Sequence, residues 1–353
     1  MRFPCRFPTH KMAPIDKPLP NGHILWWLLG TLFLVWCMVM LGGATRLTHA
    51  GLSIVEWRPI TGIIPPLTDG AWGKAFADYQ NYPEYKLVHY NMSLSEFKFI
   101  FFMEYFHRLL GRLMGIFFII PLVIFWRRGW LTPVLKRRSF WILGLGLAQG
   151  AMGWYMVKSG LVKDPAVSHY RLTAHLGIAF LIAGVLLWTL FDCLSVPKAK
   201  QLNARLYIGF TLILQLITML YGGFVAGLKA GLIYNTFPLM EGDWLPGEWN
   251  FLHPLWVNFF ENAAMVQWIH RVLGTLSFLF VWLVVIKSTP LEKQIKRCCL
   301  WWAAATTIQL GLGILTLLYH VPATLGTIHQ GWAMVILALG LLCLYTQRKE
   351  FIK

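Results

Sequence analysis

The stretch Glu104-Tyr-Phe-His-Arg-Leu-Leu-Gly-Arg-Leu113 places a carboxylate, an imidazole and two guanidinium groups at the start of a long apolar run. The stretch Gln267-Trp-Ile-His-Arg-Val-Leu-Gly-Thr-Leu276 repeats its His-Arg-x-x-Gly core 163 residues later. Ionisable groups inside a membrane segment are energetically costly and are usually functional. The repetition therefore indicates that the chain contains two copies of one functional unit.

The composition is typical of an integral membrane protein. Of the 353 residues, 57% are hydrophobic and only 13% are charged, whereas about 25% of residues are charged in soluble domains. The net charge of +16 lies in short blocks between apolar runs, without a basic stripe that carries interleaved aromatic residues. This pattern excludes nucleic acid as a partner and predicts contact with membrane lipid.

Eight continuous apolar segments are long enough to cross a bilayer, which takes about 20 residues of helix. They are too long and too uniformly apolar for the alternating strands of outer-membrane barrels. The predicted fold class is therefore an all-α integral membrane protein with eight transmembrane helices. The predicted spans are residues 24–43, 100–125, 140–158, 171–191, 204–227, 264–286, 298–318 and 325–346.

The positions of Lys and Arg predict the orientation of these spans. With the N-terminus inside, the inner segments hold 19 of the 31 Lys and Arg residues against four acids, whereas the outer segments hold nine against ten acids. An excess of positive charge marks the cytoplasmic side. Residues 1–23 and 347–353 are therefore predicted to be cytoplasmic tails.

An internal repeat predicts that the eight helices form two pseudo-symmetric four-helix bundles, residues 24–195 and residues 196–346. Each bundle has an even number of helices, so both copies enter the membrane from the same side. The motifs recur in the same order in both copies. They are Gly42-Gly43 and Gly222-Gly223, His107-Arg108 and His270-Arg271, Gln149 to Gly153 and Gln309 to Gly313, and His175 and His329.

Four histidines within the predicted spans form the candidate site: His107, His175, His270 and His329. Each lies about 4–8 residues past the start of an inward-running span, which places all four near the outer face. Any one of them could instead be a hydrogen-bond partner between helices. Two facing imidazoles in one bundle can also hold a metal, or the iron of a planar cofactor.

The ligand set favours bis-histidine haem over zinc. Zinc commonly takes four ligands that include Cys or carboxylate, and the six cysteines form no metal or redox motif. Small residues beside the histidines would allow a flat ring to approach the backbone, and axial imidazoles are ordinary haem ligands. The small residues are Gly111, Gly177, Gly274 and Gly331.

Three charged positions beside the histidines have two interpretations each. Arg108 and Arg271 either extend to the outer interface or pair with haem propionates. Glu104 lies on the same helix face as His107, and its counterpart Gln267 is neutral. Glu104 is either a carboxylate favoured by the helix dipole or an acid/base group beside only one of two haems.

These motifs resemble the haem A synthase family, also known as the cytochrome aa3-controlling proteins. The resemblance extends from Leu41-Gly-Gly-Ala-Thr-Arg-Leu-Thr48 to His329-Gln-Gly331. Its most specific parts are the stretches at 104–112 and 270–274. The first outer segment contains no cysteine, so the chain is similar to a cysteine-free subgroup.

The resemblance implies an oxidoreductase that converts one ring methyl of haem o (C8) to the formyl group of haem a, for cytochrome oxidase. Two successive hydroxylations with water-derived oxygen would accomplish this. It implies that His270 and His329 in the C-terminal bundle are the ligands of the iron of haem b. It implies substrate haem o on His107 and His175 in the N-terminal bundle, with Glu104 as the catalytic carboxylate.

The sequence favours a bacterial inner membrane, because residues 1–23 are too short for a mitochondrial transit peptide. The synthase reaction would also need an electron acceptor and a supplier of haem o such as haem O synthase (protohaem farnesyltransferase). A homo-oligomer stays open. Two other functions are considered. One is a membrane b-type di-haem cytochrome that transfers electrons without modifying haem. The other is a transporter that uses its histidines as a proton relay. Formation of haem a from haem o separates the first from the synthase, and absence of a Soret band would favour the second.

Overall fold

The computed structural model describes residues 22–56, 61–160, 167–196, 204–288 and 293–347. These residues form α-helices and short 3-10 turns without any strand, and eight of the helices are long and apolar enough to cross a membrane. The prediction of an eight-helix, all-α membrane protein is therefore confirmed. Most of both predicted tails lies outside the described residues. The helices are α1 (Gly22–Leu47), α2 (Asp69–Gln80), α3 (Pro83–Val88), α4 (Leu94–Arg127), α5 (Pro133–Gly160), α6 (His169–Cys193), α7 (Arg205–Gly227), α8 (Asn258–Glu261), α9 (Ala263–Lys287), α10 (Lys293–Leu318) and α11 (Ala323–Thr346).

Helix α4 begins at Leu94, six residues before the predicted start of its span. A capping box sets this boundary. The Ser93 hydroxyl accepts from the Glu96 backbone N–H at 3.3 Å, and a Glu96 carboxylate oxygen accepts from the Ser93 N–H at 2.8 Å. Reciprocal bonds of this kind satisfy N–H groups that a helix start leaves unpaired. The additional turns extend α4 toward the first outer loop.

The extension of α4 supports the first outer loop through packed aromatic rings. Tyr79 stacks on Phe97 with ring centroids 5.2 Å apart, and Trp72 meets Phe101 edge-on at 5.0 Å. All four side chains are buried. Aromatic pairs at such distances add stabilisation beyond their buried area. Helix α2 is thereby fixed above the outer end of α4.

The long helices pack in the same order in both predicted bundles. In the first, α4 and α6 each contact α1 and α5; in the second, α9 and α11 each contact α7 and α10. Between the bundles, α1 packs on α11, α6 on α7 and α6 on α11. The repeat matches α1 with α7 and α6 with α11. Exchanging matched helices therefore turns the α1–α11 pair into the α7–α6 pair and leaves the α6–α11 pair unchanged. This arrangement is consistent with a two-fold relation, while the boundary between residues 195 and 196 stays a prediction.

Small residues bring α6 and α7 together at the junction of the two bundles. A β-carbon on Gly223 would lie 2.7 Å from the Thr173 hydroxyl oxygen, so no larger residue fits there. Between membrane helices the surrounding lipid is as apolar as the side chains, and close packing replaces the hydrophobic effect as the driving force. Arg46, at the outer end of α1, also donates to the Ala226 and Gly227 carbonyls of α7.

Candidate functional site

The four intramembrane histidines lie on α4, α6, α9 and α11. His175, His270 and His329 are six or seven residues past the first residue of their helices, as predicted. His107 is thirteen residues past Leu94, so its predicted distance from the helix start was wrong. The cause is the capped extension of α4, which adds turns before the apolar part of the helix.

Each histidine packs against a glycine of a neighbouring helix. A β-carbon on Gly42 would lie 3.2 Å from His107 Nε2, and one on Gly222 would lie 3.3 Å from His270 Cε1. The other two histidines repeat this contact: the corresponding distance is 3.3 Å from Gly153 to His175 Cε1 and 3.0 Å from Gly313 to His329 Cε1. The recurring glycine motifs of the sequence therefore accommodate imidazole rings.

In the second bundle His270 and His329 face each other. Their ring centroids are 6.4 Å apart and their planes are nearly perpendicular. A bond between a metal and an imidazole nitrogen is about 2.0 Å long, so two imidazoles on one metal keep their centroids about 6 Å apart. His270 Nδ1 lies 3.1 Å from the Thr218 carbonyl oxygen. A donor bond to that carbonyl leaves Nε2 available to bind a metal.

Two glutamines contact the imidazoles of His175 and His329. The amide nitrogen of Gln149 lies 3.2 Å from His175 Nε2, and that of Gln309 lies 3.4 Å from His329 Nε2 and donates to the His329 carbonyl at 3.0 Å. Nδ1 of both rings is buried without a partner among the described residues. These contacts hold both rings at matching positions of the repeat.

In the first bundle His107 and His175 lie on α4 and α6, which both pack against α1 and α5. Of the four glycines predicted to admit a flat ring, Gly274 has open space around its α-carbon and Gly111 approaches only the end of Met38. Both lie one helical turn past a histidine and on its face. Gly177 and Gly331 instead pack against side chains of neighbouring helices, so their predicted role was wrong.

The two arginines make matching contacts with the outer loops. Arg108 donates to the carbonyls of Ile54 at 2.9 Å and Glu56 at 3.2 Å. Arg271 donates to those of Tyr234 and Thr236, both at 2.8 Å. The loop positions differ by 180 residues in both cases, which is also the offset of the Gly-Gly motifs. Each guanidinium therefore binds its loop, and pairing with propionates stays a prediction.

Glu104 and Gln267 also bind these loops, but with different chemistry. Glu104 is 2% exposed and accepts from the Ser53 hydroxyl at 2.7 Å, the Ile54 N–H at 2.8 Å and Arg108 at 2.6 Å. Gln267 is equally buried and donates to the Tyr234 carbonyl at 2.9 Å. The first site thus holds a carboxylate surrounded by donors, which suits its ionised form.

The described residues contain no group of three or more His, Cys, Asp or Glu side chains that could hold a metal ion. A four-ligand zinc site is therefore not formed by the part of the chain described here. A paired, glycine-seated imidazole set instead fits a planar cofactor whose iron takes two axial nitrogens.

The family model of COX15-CtaA, a cytochrome oxidase assembly protein, matches residues 25–341, which include all four histidines and Glu104. The chain belongs to the COX15-CtaA family. It is 44% identical to the heme A synthase of Nitrosospira multiformis over 97% of each chain. It is 42% identical to that of Wolbachia pipientis wMel over 92% of each chain. It is 43% identical to the heme A synthase COX15 of Bos taurus over 89% of this chain and 79% of the relative.

Several contacts of this COX15-CtaA site were missed by sequence reasoning. The loop partners of Glu104, Ser53 and Ile54, carry no motif that predicts them. Gln149 and Gln309 were noticed as repeated residues, and their spacing of four from Gly153 and Gly313 places both on one helix face. That spacing could have identified them as residues that contact a histidine on the adjacent helix.

Proposed function

We propose that this chain is a haem A synthase of a bacterial inner membrane. It oxidises a methyl group of haem o to the formyl group of haem a with oxygen from water. The observation that carries the proposal is the asymmetry between two otherwise matched histidine pairs. Among the described residues, only the pair His107 and His175 has a buried carboxylate, Glu104, on one of its helices. Family membership and relatives that are named heme A synthase support the same activity.

In this proposal the first bundle binds the substrate haem o and the second holds a resident haem b. Only 6% of the apolar stretch of α5 is buried, against 28% of its counterpart α10. Helices α4 and α5 are also in less extensive contact than α9 and α10. A bundle that is open to lipid suits a substrate with an isoprenoid tail that must enter and leave laterally. A closed bundle suits a cofactor that stays.

His270 and His329 would hold haem b, which supplies a one-electron redox centre when bound. The Thr218 carbonyl and the Gln309 amide would orient these two imidazoles. Arg108 and Arg271 are proposed to contact propionates in addition to their loop carbonyls. In this proposal both haems lie near the outer face, and both termini lie in the cytoplasm.

Glu104 is proposed to act on the substrate in one of two ways. It stabilises positive charge that develops at the methyl carbon, or it accepts a proton from the attacking water. Bonds from Ser53, Ile54 and Arg108 fix the carboxylate before the reaction. A fixed charge requires little reorganisation when the transition state forms. The electrons leave to an acceptor outside the chain, and a partner such as haem O synthase supplies haem o.

The proposal is tested with Glu104→Gln and two double variants, expressed with a supply of haem o. Glu104→Gln should retain normal haem b and form no haem a in extracted pigments. Replacing His107 and His175 together should give the same result, whereas replacing His270 and His329 together should remove haem b. The reverse pattern in the double variants would exchange the assigned bundles. A wild-type chain that binds haem but forms no haem a would identify a b-type cytochrome instead.

A further inference from the structure

Three ionisable side chains form a hydrogen-bonded chain in the first outer loop. The Tyr79 hydroxyl lies 3.1 Å from Glu84 Oε2 and 2.8 Å from His89 Nδ1. Glu84 is 5% exposed and Tyr79 is fully buried. Burying a carboxylate is costly unless bonding or function compensates. The acids Glu241, Asp243 and Glu248 of the second outer loop are exposed. Glu261 of the same loop accepts from Tyr170 at 2.7 Å and lies 3.4 Å from His169, but it is exposed as well. Among the described residues, the buried carboxylate distinguishes the first cluster from the second.

The chain of three groups lies between Glu104 and the outer surface. At its inner end, Glu84 lines a pocket together with Gly51 and Leu52, and the next residue, Ser53, donates to Glu104 at 2.7 Å. At its outer end, His89 is half-buried and meets the half-buried His49 edge-on, with ring centroids 6.4 Å apart. His49 lines the same pocket, which is open in the outer face of the protein.

The contacts allow one proton to enter at Glu84 and one to leave at His89. When Glu84 is protonated, it donates to the Tyr79 oxygen while Tyr79 donates to His89 Nδ1. Glu84 then passes its proton to Tyr79, Tyr79 passes its own to His89 Nδ1, and His89 releases its Nε2 proton to water. Afterwards Tyr79 donates to the ionised Glu84, and His89 Nδ1–H donates to Tyr79. Every group stays hydrogen-bonded in both states, and no heavy atom needs to move far.

The electrostatic surroundings favour this direction of transfer. Burial raises the pKa of Glu84 to about 8. The hydrogen bond from Tyr79 lowers this pKa, the charge of Glu104 raises it further, and the charges of Arg46 and Lys229 lower it. Burial lowers the pKa of His89, which Glu96 raises in part. Glu84 can therefore hold a proton near neutral pH, whereas His89 is neutral there and does not retain one.

We propose that Glu84, Tyr79 and His89 form a relay that carries protons from the Glu104 site to the outer aqueous face. The relay rests on the proposed function. Oxidation of a methyl to a formyl group with one water releases four protons and four electrons. The electrons pass to the external acceptor, and the protons must leave a site enclosed by protein. Among the described residues, a buried carboxylate within such a cluster occurs only beside the bundle assigned to this chemistry.

The test compares haem a formation in wild type, Glu84→Gln and Tyr79→Phe. The matched control is Tyr85→Phe, because Tyr85 packs beside Tyr79 while its hydroxyl accepts from Gln80 instead of bonding to Glu84 or His89. Both relay variants should lower turnover on the order of 10²-fold, the low end for a positioned proton-transferring group. Wild-type turnover should rise with pH through about 8, as the acceptor form of Glu84 appears. This rise should be absent in both relay variants, while haem b content and the control are unchanged.

A separate measurement keeps the relay testable if turnover is lost for another reason. Infrared difference titration of the wild-type protein should show a protonated carboxyl band that disappears with a midpoint near 8. Glu84→Gln should remove the band and Tyr79→Phe should shift it. Turnover equal to that of wild type in both relay variants, or the absence of the titrating band from the wild-type protein, would overturn the relay. A titrating band in a protein that forms no haem a would instead overturn the proposed function and leave the proton-transfer groups in place.

Discussion

The Ser53 hydroxyl donates to Glu104 Oε2 at 2.7 Å, across 51 residues of chain. Ser53 is itself buried and belongs to the loop that follows α1. The bond joins the outer loop to the carboxylate that distinguishes the first site from the second. The orientation of Glu104 therefore depends on a residue outside the membrane helices.

Ser53→Ala should lower haem a formation by about 10- to 100-fold. A hydrogen bond to a charged group contributes roughly 1.5–3 kcal/mol, and its loss leaves Glu104 less firmly positioned. Haem b content should not change, because Ser53 contacts only the first site. Ser95→Ala, on an exposed serine at the start of α4, is the control. Turnover and pigments are measured in the same membranes, and equal turnover in both variants would exclude the positioning role.

Alanine at the histidine-contacting glycines should separate the two sites. Gly313→Ala would place a β-carbon 3.0 Å from His329 Cε1 and should reduce haem b content. Gly153→Ala would place one 3.3 Å from His175 Cε1 and should reduce haem a formation while haem b is retained. The controls are Gly311→Ala and Gly150→Ala, which have open space around the new atom on the same helices. Absorbance per protein measures haem b, and similar losses in the controls would contradict the assignment.

The stability of the first outer loop should decrease as pH rises. Burial raises the pKa of Glu84 from 4.5 to about 8, so the folded state binds this proton more tightly than the unfolded state. The stabilisation from this group is complete below 4.5 and is lost as pH rises through about 8. Thermal unfolding followed by tryptophan fluorescence should therefore show a falling Tm in wild type. The decrease of Tm between pH 4.5 and about 8 should be smaller in Glu84→Gln than in wild type. The control Glu241→Gln, at an exposed position, should show the same decrease as wild type.

Asp192 should stabilise the inner ends of three helices. It pairs with Arg138 of α5 at 2.7 Å and accepts from the Tyr345 hydroxyl of α11 at 2.6 Å. Asp192→Asn should lower the free energy of unfolding by about 1 kcal/mol, because partial exposure to solvent weakens the Arg138–Asp192 ion pair. A Tm decrease of about 2 °C is expected for a chain of this size. The difference from wild type should shrink at high salt, and an unchanged Tm would show that the pair contributes nothing.

Hydropathy predicted the spans because each requires about 20 apolar residues in succession, and that requirement does not depend on what packs nearby. It missed the start of α4, whose first turns are held by Ser93, Glu96 and aromatic packing. The Ser-x-x-Glu pattern was present and could have placed the boundary. Hydropathy thus predicted the membrane-spanning part of each helix but not the extension of α4 into a loop.

The histidines and Glu104 could be predicted because ionisable groups are rare inside membrane segments. Their partners could not, since Ser53 and Ile54 lie about 50 residues from Glu104 in a loop without periodicity. The relay groups Tyr79 and Glu84 are likewise ordinary loop residues in the sequence. Only the packing of α2 on α4 brings them near Glu104.

The loop contacts of Glu104 and Gln267 have a consequence for how the two halves diverged. A carboxylate accepts from the Ile54 N–H, and an amide at the matching position donates to the Tyr234 carbonyl. A glutamine in place of Glu104 could still accept from the Ile54 N–H through its side-chain oxygen, whereas an ionised carboxylate in place of Gln267 could not donate to the Tyr234 carbonyl. A duplicated ancestor with two carboxylates could therefore lose the reactive group in one copy by a single substitution and keep its scaffold.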